Sequence, residues 1–286
     1  MTRGPEDVYD DVAVDAWIQD DPDPVTRAEL TELLSAARSH GEQAQAARRA
    51  LSDAFSGTLA FGTAGLRGRL GGGPNRMNRV VVIRAAAGLS AYLKDRLGEG
   101  FSVVIGYDAR HNSEQFARDT AAVVTGAGGR AILFESHCPT PVLAFALRRL
   151  EADAGVMVTA SHNPPQDNGY KVYLGGLAVT DSGQGAQIVP PYDTQIAEAI
   201  DAVGPVASVP RPKAGWETVD PEIREEYIER AAQAARMTAP APVRIVLTAM
   251  HGVGGATCRE VLARAGFTDV VEVAEQFEPD PDLSLI

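Results

Sequence analysis

The stretch AGVMVTASHNPPQDNGYKVYL, residues 154–174, contains the pattern that decides the predicted fold. Its apolar start, Val156 to Val158, is typical of a buried parallel strand. Residues 159–165, the serine loop, are small and polar and end in two prolines, so the strand stops there. Asn168-Gly169 favours a tight turn, and residues 170–173 predict a returning strand. A polar loop directly after a buried strand is where α/β proteins place functional residues.

Three side chains of this hairpin are candidates for chemistry on an anionic substrate. Ser161 is the candidate nucleophile, and its hydroxyl needs a neighbour that takes up the proton. His162 is the adjacent side chain suited to that role near neutral pH. The returning strand is expected to carry the ammonium group of Lys171 back beside the loop. The alternative interpretation is a turn with a surface histidine, because neighbouring side chains in a sequence often point apart.

The residues before this hairpin alternate between strand and helix patterns. Residues 103–105 and 130–134 predict two more buried strands, each followed by a helix. The alternation predicts a parallel sheet with right-handed crossovers, in which the carboxyl ends of the strands share one edge. The polar turn over 106–110 is therefore expected to converge with the serine loop. Alternatively, Asp108 and Arg110 pair with each other or cap the following helix.

A glycine-rich segment, FGTAGLRG at 61–68, precedes these strands. Its glycines allow backbone conformations that a Cβ atom forbids, and they allow main-chain N–H groups to approach an anion. Arg67 lies among them, and a guanidinium can bind a phosphate through two hydrogen bonds. The segment lacks the Gly-Lys-Ser/Thr ending of a phosphate-binding P-loop. The alternative is a glycine-rich hairpin with an exposed arginine.

Composition restricts the class of protein. The chain has 286 residues, enough for about two domains, and 45% of them are hydrophobic. Its net charge of -12 opposes nucleic-acid binding, which requires a basic surface. No apolar run is long enough to span a membrane and the N-terminus lacks a signal-peptide core, so we expect a cytoplasmic protein without a membrane partner. Cys138 and Cys258 lie outside disulfide-framework and zinc spacings, so we expect two buried thiols.

The patterns divide the chain into four parts. These are a helical segment over 1–57, an α/β domain over 58–204, a proline-rich linker over 205–219 and a partial second α/β domain over 220–286. The predicted fold class is α/β, with a mixed, largely parallel sheet and flanking helices followed by an incomplete second domain of the same type. The elements expected in the second domain are a helix over 222–236, a strand over 243–247, a helix over 256–265 and a strand from 270.

Five motifs together resemble the α-D-phosphohexomutase family. They are FGTAGLRG at 61–68, GYDAR at 106–110, PTP at 139–141, TASHNP at 159–164 and NGYKVY at 168–173. Their order and spacing are similar to those of the family from residue 58 onward. The stretch TAMHGVGG at 248–255 resembles the branch that contains phosphoglucomutases and phosphopentomutases.

The resemblance implies a mutase that moves phosphate between C1 and the terminal hydroxyl of a sugar phosphate. Ser161 would be carried as a phosphoserine, with a sugar bisphosphate such as glucose 1,6-bisphosphate as intermediate and activator. Arg67 and Lys171 would supply positive charge near the transferring phosphoryl group, and His162 or these basic groups would transfer the proton. Substrate or phosphate binding, or support of the serine loop, is implied for Thr63, Gly65, Asp108, Arg110 and Asn163.

The resemblance also implies a Mg²⁺ ion, bound in part by a phosphate oxygen on Ser161. In the family the other ligands come from a DxDxDR-type loop, which this sequence does not contain. The acidic run over 278–282 resembles the segment before that loop, and we expect a solvated tail. The later sugar-recognition and distal phosphate-binding regions do not occur either. The chain therefore resembles the first half of such an enzyme, either shortened or split from a C-terminal half that would be its partner.

Two other functions are compatible with the sequence. One is a non-catalytic phosphosugar-binding fragment that keeps the serine loop without turnover. The other is an NAD-linked oxidoreductase, because the glycine-rich turn over 252–255, with Glu272 or Glu275 about 20 residues further on, imitates a dinucleotide-binding fingerprint. Thr257 occupies the third glycine position of that fingerprint, which weakens this second alternative.

Overall fold

The computed structural model describes residues 9–63, 65–234 and 243–285. Its N-terminal part contains three helices, α1 (Asp11–Asp20), α2 (Pro24–Ala37) and α3 (Glu42–Ala54). The side chains of Asp10 and Asp23 accept hydrogen bonds from backbone N–H groups two residues further on, and so cap α1 and α2. The three helices bury a small apolar core, which includes Val14, Leu30, Leu34 and Leu51.

A six-stranded sheet with flanking helices follows. Its strands are β1 (Leu66–Arg69), β2 (Ser102–Tyr107), β3 (Arg130–Leu133), β4 (Ala154–Val158), β5 (Asp167–Leu174) and β6 (Glu217–Thr218). Its helices are α4 (Arg79–Leu97), α5 (Ser113–Gly126), α6 (Thr140–Arg149) and α7 (Tyr192–Asp201). In space the strands lie in the order β1-β5-β4-β2-β3-β6. β2 pairs in parallel with β3 and β4, and β3 with β6, whereas β5 is antiparallel to β1 and β4.

Helices cover both faces of this sheet. Val156 and Val158 belong to the core that α4 and α5 cover on one face. Met157, which points the other way, belongs to the core under α6. Burial on both faces explains why the central strands are apolar without alternation. The predicted mixed, largely parallel sheet with flanking helices is confirmed.

The dipeptide Asn168-Gly169 lies inside β5 and does not form the predicted turn. Residues 159–166 connect β4 to β5, and both residues of the dipeptide pair with β1. The fully buried side-chain amide of Asn168 donates to the carbonyl of His111 and to Oγ of Ser113. A Cβ atom at residue 169 would lie 2.6 Å from the carbonyl oxygen of Thr159. The turn prediction was wrong because these long-range contacts override the local preference.

The residues of the predicted linker, 205–219, pack against the N-terminal helices and the six-stranded sheet, which together form the first unit. The carboxylate of Asp20 accepts hydrogen bonds from the backbone N–H groups of Val206 and Ala207. Further on, β6 extends the sheet edge, and Arg130 of β3 donates two hydrogen bonds of 2.7 Å to Glu217 of β6. These contacts attach the segment to both the N-terminal helices and the sheet.

A second α/β unit ends the described chain. It contains α8 (Glu222–Ala234), β7 (Ile245–Leu247), α9 (Gly255–Arg264) and β8 (Val270–Glu272). Residues 235–236, the end of the predicted helix, lie outside the described residues. β7 and β8 pair in parallel and present Val246 and Val271 to solvent. In the part of the chain that the structure describes, no helix has the length and apolar character that crossing a bilayer requires.

The two cysteines differ in their surroundings. Cys138 is buried beside Gly106, where a Cβ atom would lie 2.8 Å from the Cys138 sulfur. Burial raises the pKa of this thiol to about 12. Cys258 on α9 is exposed, so the prediction of a buried thiol is wrong for that residue.

Candidate active site

Arg110 holds the serine loop and the start of β5 in shape. Its guanidinium donates to four backbone carbonyls at 2.5–3.1 Å, those of Ser161, Asn163, Pro164 and Asp167. Arg110 is buried, and desolvation lowers its pKa, against the opposing effect of the Asp108 carboxylate. The predicted convergence of the turn over 106–110 with the serine loop is confirmed.

Asp108 fixes Arg110 and the start of the next helix. Its Oδ1 accepts hydrogen bonds from Oγ of Ser113 at 2.6 Å and from the backbone N–H of Arg110 at 3.0 Å. Its Oδ2 lies 3.6 Å from Nε of Arg110. Both interpretations of this pair are therefore present: Asp108 orders the helix start and pairs with Arg110, while Arg110 also binds the serine loop.

Ser161 lies at the exposed tip of the serine loop in a left-handed backbone conformation, with φ of 60°. That conformation costs a non-glycine residue about 1–2 kcal/mol, so neighbouring contacts must hold it. The backbone N–H of Ser161 donates to Oγ1 of Thr159 at 2.9 Å, and its carbonyl accepts from Arg110. Its Oγ lies 3.4 Å from Nδ1 of His162. The structure thus brings the candidate nucleophile and the candidate base together.

Arg67 reaches the serine loop from β1. Its Nη1 donates to Oδ1 of Asn163 at 3.1 Å, and the amide of Asn163 donates to Asp167 at 2.8 Å. Gly65 precedes β1 with φ of 74°, and a Cβ atom there would lie 2.0 Å from the carbonyl oxygen of Tyr170. Glycine at this position therefore lets β1 approach β5 and places Arg67 at the loop.

The two other predicted binding positions in the glycine-rich segment make backbone contacts. The carbonyl of Thr63 accepts a hydrogen bond of 2.7 Å from the side chain of Gln187. The N–H of Gly65 donates to the carbonyl of Gly62, also at 2.7 Å. This N–H is therefore engaged within the segment, and phosphate binding by Thr63 and Gly65 stays a prediction.

Lys171 lies on the same face of the sheet as Arg67. Residues 67 and 169 are paired across β1 and β5, and residues two apart on one strand share a face. Lys171 is half-buried, and burial lowers its pKa. The charge of Arg67 lowers it further, and the charge of Asp108 opposes this. The two cations therefore form a local positive site on a chain of net negative charge.

The serine loop opens into a cleft between the two α/β units. Ser161 and His162 line it from the first unit, together with the Asp108–Arg110 turn. The residues over 249–253, between β7 and α9, line it from the second unit. Asp280 and Leu283 complete a cavity of about 330 Å³. Its size is near the lower end for small-molecule sites.

The acidic run over 278–282 borders this cleft, with the side chains of Glu278 and Asp282 exposed as expected but the chain attached to its surroundings. The carbonyl of Glu278 lies 3.0 Å from Nδ1 of His251, and the carboxylate of Asp280 accepts backbone N–H groups two and four residues further on. Hydrogen bonds to this carboxylate, chiefly those from residue 284, lower the pKa of Asp280 to about 2. Asp282 pairs with His111 of the first unit at 2.7 Å. The prediction of a tail was wrong only in that the segment is attached, because the partners that attach it are distant in sequence.

Sequence reasoning assigned no functional role to His251 or Asp280, although both border the cleft. The histidine-glycine turn of residues 251–252 was the available signal, but a motif alone does not indicate which side chain faces a site. The approach of the second unit to the serine loop supplies that information.

The described side chains do not complete a Mg²⁺ site. Among the residues that the structure describes, no three His, Cys, Asp or Glu side chains converge on one point that could hold a metal ion. Mg²⁺ prefers near-octahedral oxygen coordination, often supplied by one or two carboxylates together with phosphate oxygens and water. Binding of the ion through a phosphate on Ser161 therefore stays a prediction.

Comparisons with known proteins match both α/β units. The profile of "Phosphoglucomutase/phosphomannomutase, alpha/beta/alpha domain I" matches residues 58–204, and that of domain II matches residues 225–285. The Haemophilus influenzae protein named "Probable phosphomannomutase" is 48% identical over 206 residues, which cover 71% of this chain and 41% of that protein. Phosphoribomutase of Saccharomyces cerevisiae is 32% identical, with 99% of this chain and 46% of that protein covered.

A solved structure agrees with these sequence matches. A Thermus thermophilus protein described as a phosphomannomutase superposes with a TM-score of 0.63 at 26% identity, and the match covers 80% of this chain and 48% of that one. The chain thus spans less than half the length of these relatives. Because the domain I profile alone covers more than half of the sequence, the chain belongs to the phosphoglucomutase/phosphomannomutase family of α-D-phosphohexomutases.

Proposed function

We propose that this chain carries the phosphoserine half-site of a phosphosugar mutase, with Ser161 as the phosphoryl carrier. The observation that carries the proposal is the Arg110 contact set, which holds the carbonyls of a loop whose Ser161 lines the cleft. Arg67, which contacts Asn163 of the same loop, lies on one face of the sheet with Lys171. An exposed hydroxyl, an adjacent imidazole and two cations suit phosphoryl transfer, which depends mainly on positioning and charge.

The loading step uses a sugar bisphosphate as donor. Oγ of Ser161 attacks the phosphorus, its proton moves to Nδ1 of His162, and the bond between phosphorus and the sugar oxygen breaks. Arg67 and Lys171 stabilise the negative charge on the phosphoryl oxygens. Lys171, whose pKa is lowered, gives a proton to the departing sugar oxygen. In the return step, another hydroxyl of the sugar monophosphate attacks the phosphoserine and gives its proton to Lys171. His162 returns its proton to Oγ of Ser161, which completes the transfer.

The small-molecule partner in this proposal is a sugar phosphate, and the compartment that we expect is the cytoplasm. The relatives bear the names of phosphomannomutase and phosphoribomutase, so they favour both hexose and pentose phosphates. A Mg²⁺ ion would add positive charge to the same phosphoryl group. The described side chains do not form a cage for this ion, so the loading step is assigned to the protein groups.

Phosphorylation of Ser161 tests the proposal directly. The chain is incubated with glucose 1,6-bisphosphate, with and without Mg²⁺, and peptide mapping by mass spectrometry locates any phosphate. We expect one phosphate on the peptide that contains Ser161 and none in the Ser161→Ala variant. Phosphate on another residue, or none in the folded wild-type chain, contradicts the assignment of Ser161 as carrier.

A non-catalytic phosphosugar-binding protein is the second candidate, because the chain spans less than half of its relatives. Binding of glucose 1-phosphate without loading of Ser161 favours this candidate over the mutase half-site. The NAD-linked alternative is disfavoured by Thr257 at the third glycine position of the fingerprint and by Glu272, one of the two acidic residues, with Glu275, expected to bind the ribose. Oε1 of Glu272 accepts a hydrogen bond of 3.2 Å from Arg259 and is already engaged.

A further inference from the structure

His251 is a buried residue of the second unit that borders the cleft containing Ser161. Only 8% of it is exposed. Its backbone N–H donates to the carbonyl of Gln276 at 2.9 Å, and its carbonyl accepts from the N–H of Asp280 at 3.1 Å. Its Nδ1 lies 3.0 Å from the carbonyl oxygen of Glu278. The ring orientation is therefore fixed by one short segment of chain.

The contact with Glu278 determines which nitrogen of His251 is available. A backbone carbonyl can only accept a hydrogen bond, so Nδ1 must carry the hydrogen. In the neutral ring, Nε2 is then an acceptor. This atom is buried and has no hydrogen-bond partner among the described residues. Buried polar atoms nearly always have a partner, and an unmet one costs about 1–3 kcal/mol.

The backbone at this position is also strained. Met250 and His251 are consecutive non-glycine residues in the left-handed region, with φ of 48° and 57°. Ser161, which borders the same cleft, has φ of 60°. Strained conformations cost about 1–3 kcal/mol each and cluster at binding and catalytic sites. The strain supports a functional role for His251, although the unpartnered Nε2 carries the argument.

We propose that Nε2 of His251 accepts a hydrogen bond from a hydroxyl of the sugar when a sugar phosphate lies in the cleft, an inference that rests on the proposed function. Sugar hydroxyls donate hydrogen bonds, whereas the oxygens of a phosphate dianion only accept them. A neutral Nε2 therefore recognises the sugar and not the phosphate. Arg67 and Lys171 of the first unit bind the phosphoryl group, and His251 of the second unit contacts the carbohydrate.

The tautomer and its response to ligand are measurable by nitrogen NMR. On a chain labelled with ¹⁵N-histidine, we expect His251 to carry its hydrogen on Nδ1. Addition of glucose 1-phosphate should shift the Nε2 resonance, and inorganic phosphate at the same concentration should not. A hydrogen on Nε2, or equal shifts with both ligands, overturns the inference.

Two variants separate sugar recognition from structural support. Asn places an amide nitrogen near the position of Nδ1, so His251→Asn can keep the contact with Glu278 and removes the acceptor. Gln places an oxygen near the position of Nε2, so His251→Gln removes that contact and can keep the acceptor. We expect His251→Asn to weaken glucose 1-phosphate binding by roughly 3- to 10-fold and leave phosphate binding unchanged. His251→Gln should bind the sugar phosphate better than His251→Asn.

Calorimetric titration measures the affinity of both variants for glucose 1-phosphate, and thermal unfolding measures their stability; together they distinguish sugar recognition from structural support. A purely structural role predicts the opposite order, because only His251→Asn keeps the contact with Glu278. If the wild-type chain loads Ser161 and both variants bind glucose 1-phosphate as it does, the inference about His251 is wrong and the proposed function stands. If the wild-type chain neither binds sugar phosphate nor loads Ser161, the proposed function fails, and the inference fails with it.

Discussion

The guanidinium of Arg110 donates a 3.1 Å hydrogen bond to the carbonyl of Ser161, across 51 positions of sequence. The contact joins the end of β2 to the loop after β4, which are neighbouring parallel strands. The contact therefore fixes the position of Ser161, and with it one hydroxyl group, at the shared edge of the sheet. Three further carbonyls bind the same side chain, so the position of Ser161 depends on the whole contact set.

We expect Arg110→Met to lower the free energy of unfolding by about 2–4 kcal/mol, because it leaves the four loop carbonyls without their donor and Asp108 without its ion-pair partner. Loading of Ser161 should also be lost. Urea denaturation and mass spectrometry measure the two effects. Arg118→Met is the control, since among the described residues the ion pair of Arg118 is an exposed one with Glu114, and its loss should change stability by less than about 0.5 kcal/mol. Equal effects of both substitutions would refute the role of Arg110.

Lys171→Met should reduce the loading of Ser161 at least tenfold, because it removes one cation that stabilises the transferring phosphoryl group. The substitution should not lower the melting temperature. The reason is that burial lowers the pKa of Lys171, so its charge is unfavourable in the folded state. Between the lowered pKa and the unfolded value of 10.5 the unfolded chain binds more protons, so the wild-type free energy of unfolding rises with pH. The variant should lose this contribution. A marked loss of stability in the variant at neutral pH would contradict the argument.

Gly65→Ala should destabilise the chain by about 2–4 kcal/mol, because the new Cβ atom meets the carbonyl of Tyr170 and the backbone is left-handed. Gly98→Ala is the matched control, since Gly98 has φ of 81° and, chain neighbours aside, no heavy atom of the described residues lies within 4 Å of its added Cβ. That control measures the conformational cost of a positive φ without the strand contact, about 1–3 kcal/mol. Thermal unfolding of both variants provides the comparison, and equal losses would show that the strand contact is unimportant.

Thiol labelling should distinguish the two cysteines in the native chain. Cys258 is exposed and should react with a disulfide reagent at pH 8, whereas Cys138 is buried with a pKa of about 12 and should not. We expect one reactive thiol per native chain, two after denaturation, and none in native Cys258→Ser. A second thiol that reacts rapidly under native conditions would contradict the burial of Cys138.

The sequence patterns predicted those features that depend on local periodicity and on sheet topology. The buried strand at 154–158, the returning strand with Lys171, and the convergence of Arg110 with the serine loop all follow from alternation of apolar runs and polar turns. Five motifs in order then indicated the family, which the domain profiles confirm.

The features that sequence patterns failed to predict depend on contacts between distant residues. Asn168-Gly169 is a typical turn dipeptide. The side-chain amide of Asn168, however, donates hydrogen bonds to His111 and Ser113 at the start of α5, and the residue lies inside a strand. The acidic run over 278–282 has the composition of a solvated tail, yet its backbone binds His251. In both cases a buried partner outweighs the local preference, and no local pattern reveals that partner.

The serine loop is held by its backbone, and this separates the shape of the site from its reactivity. The bonds from Arg110 end on carbonyl oxygens, and the backbone N–H of Ser161 bonds to Thr159. The side chain at position 161 can therefore be replaced without loss of the loop structure. Asp and Asn adopt the left-handed backbone conformation of this position more readily than most residues. An aspartate there would install a permanent negative charge on an unaltered loop. The fold thus holds the backbone of the serine loop independently of the reactive side chain that it carries.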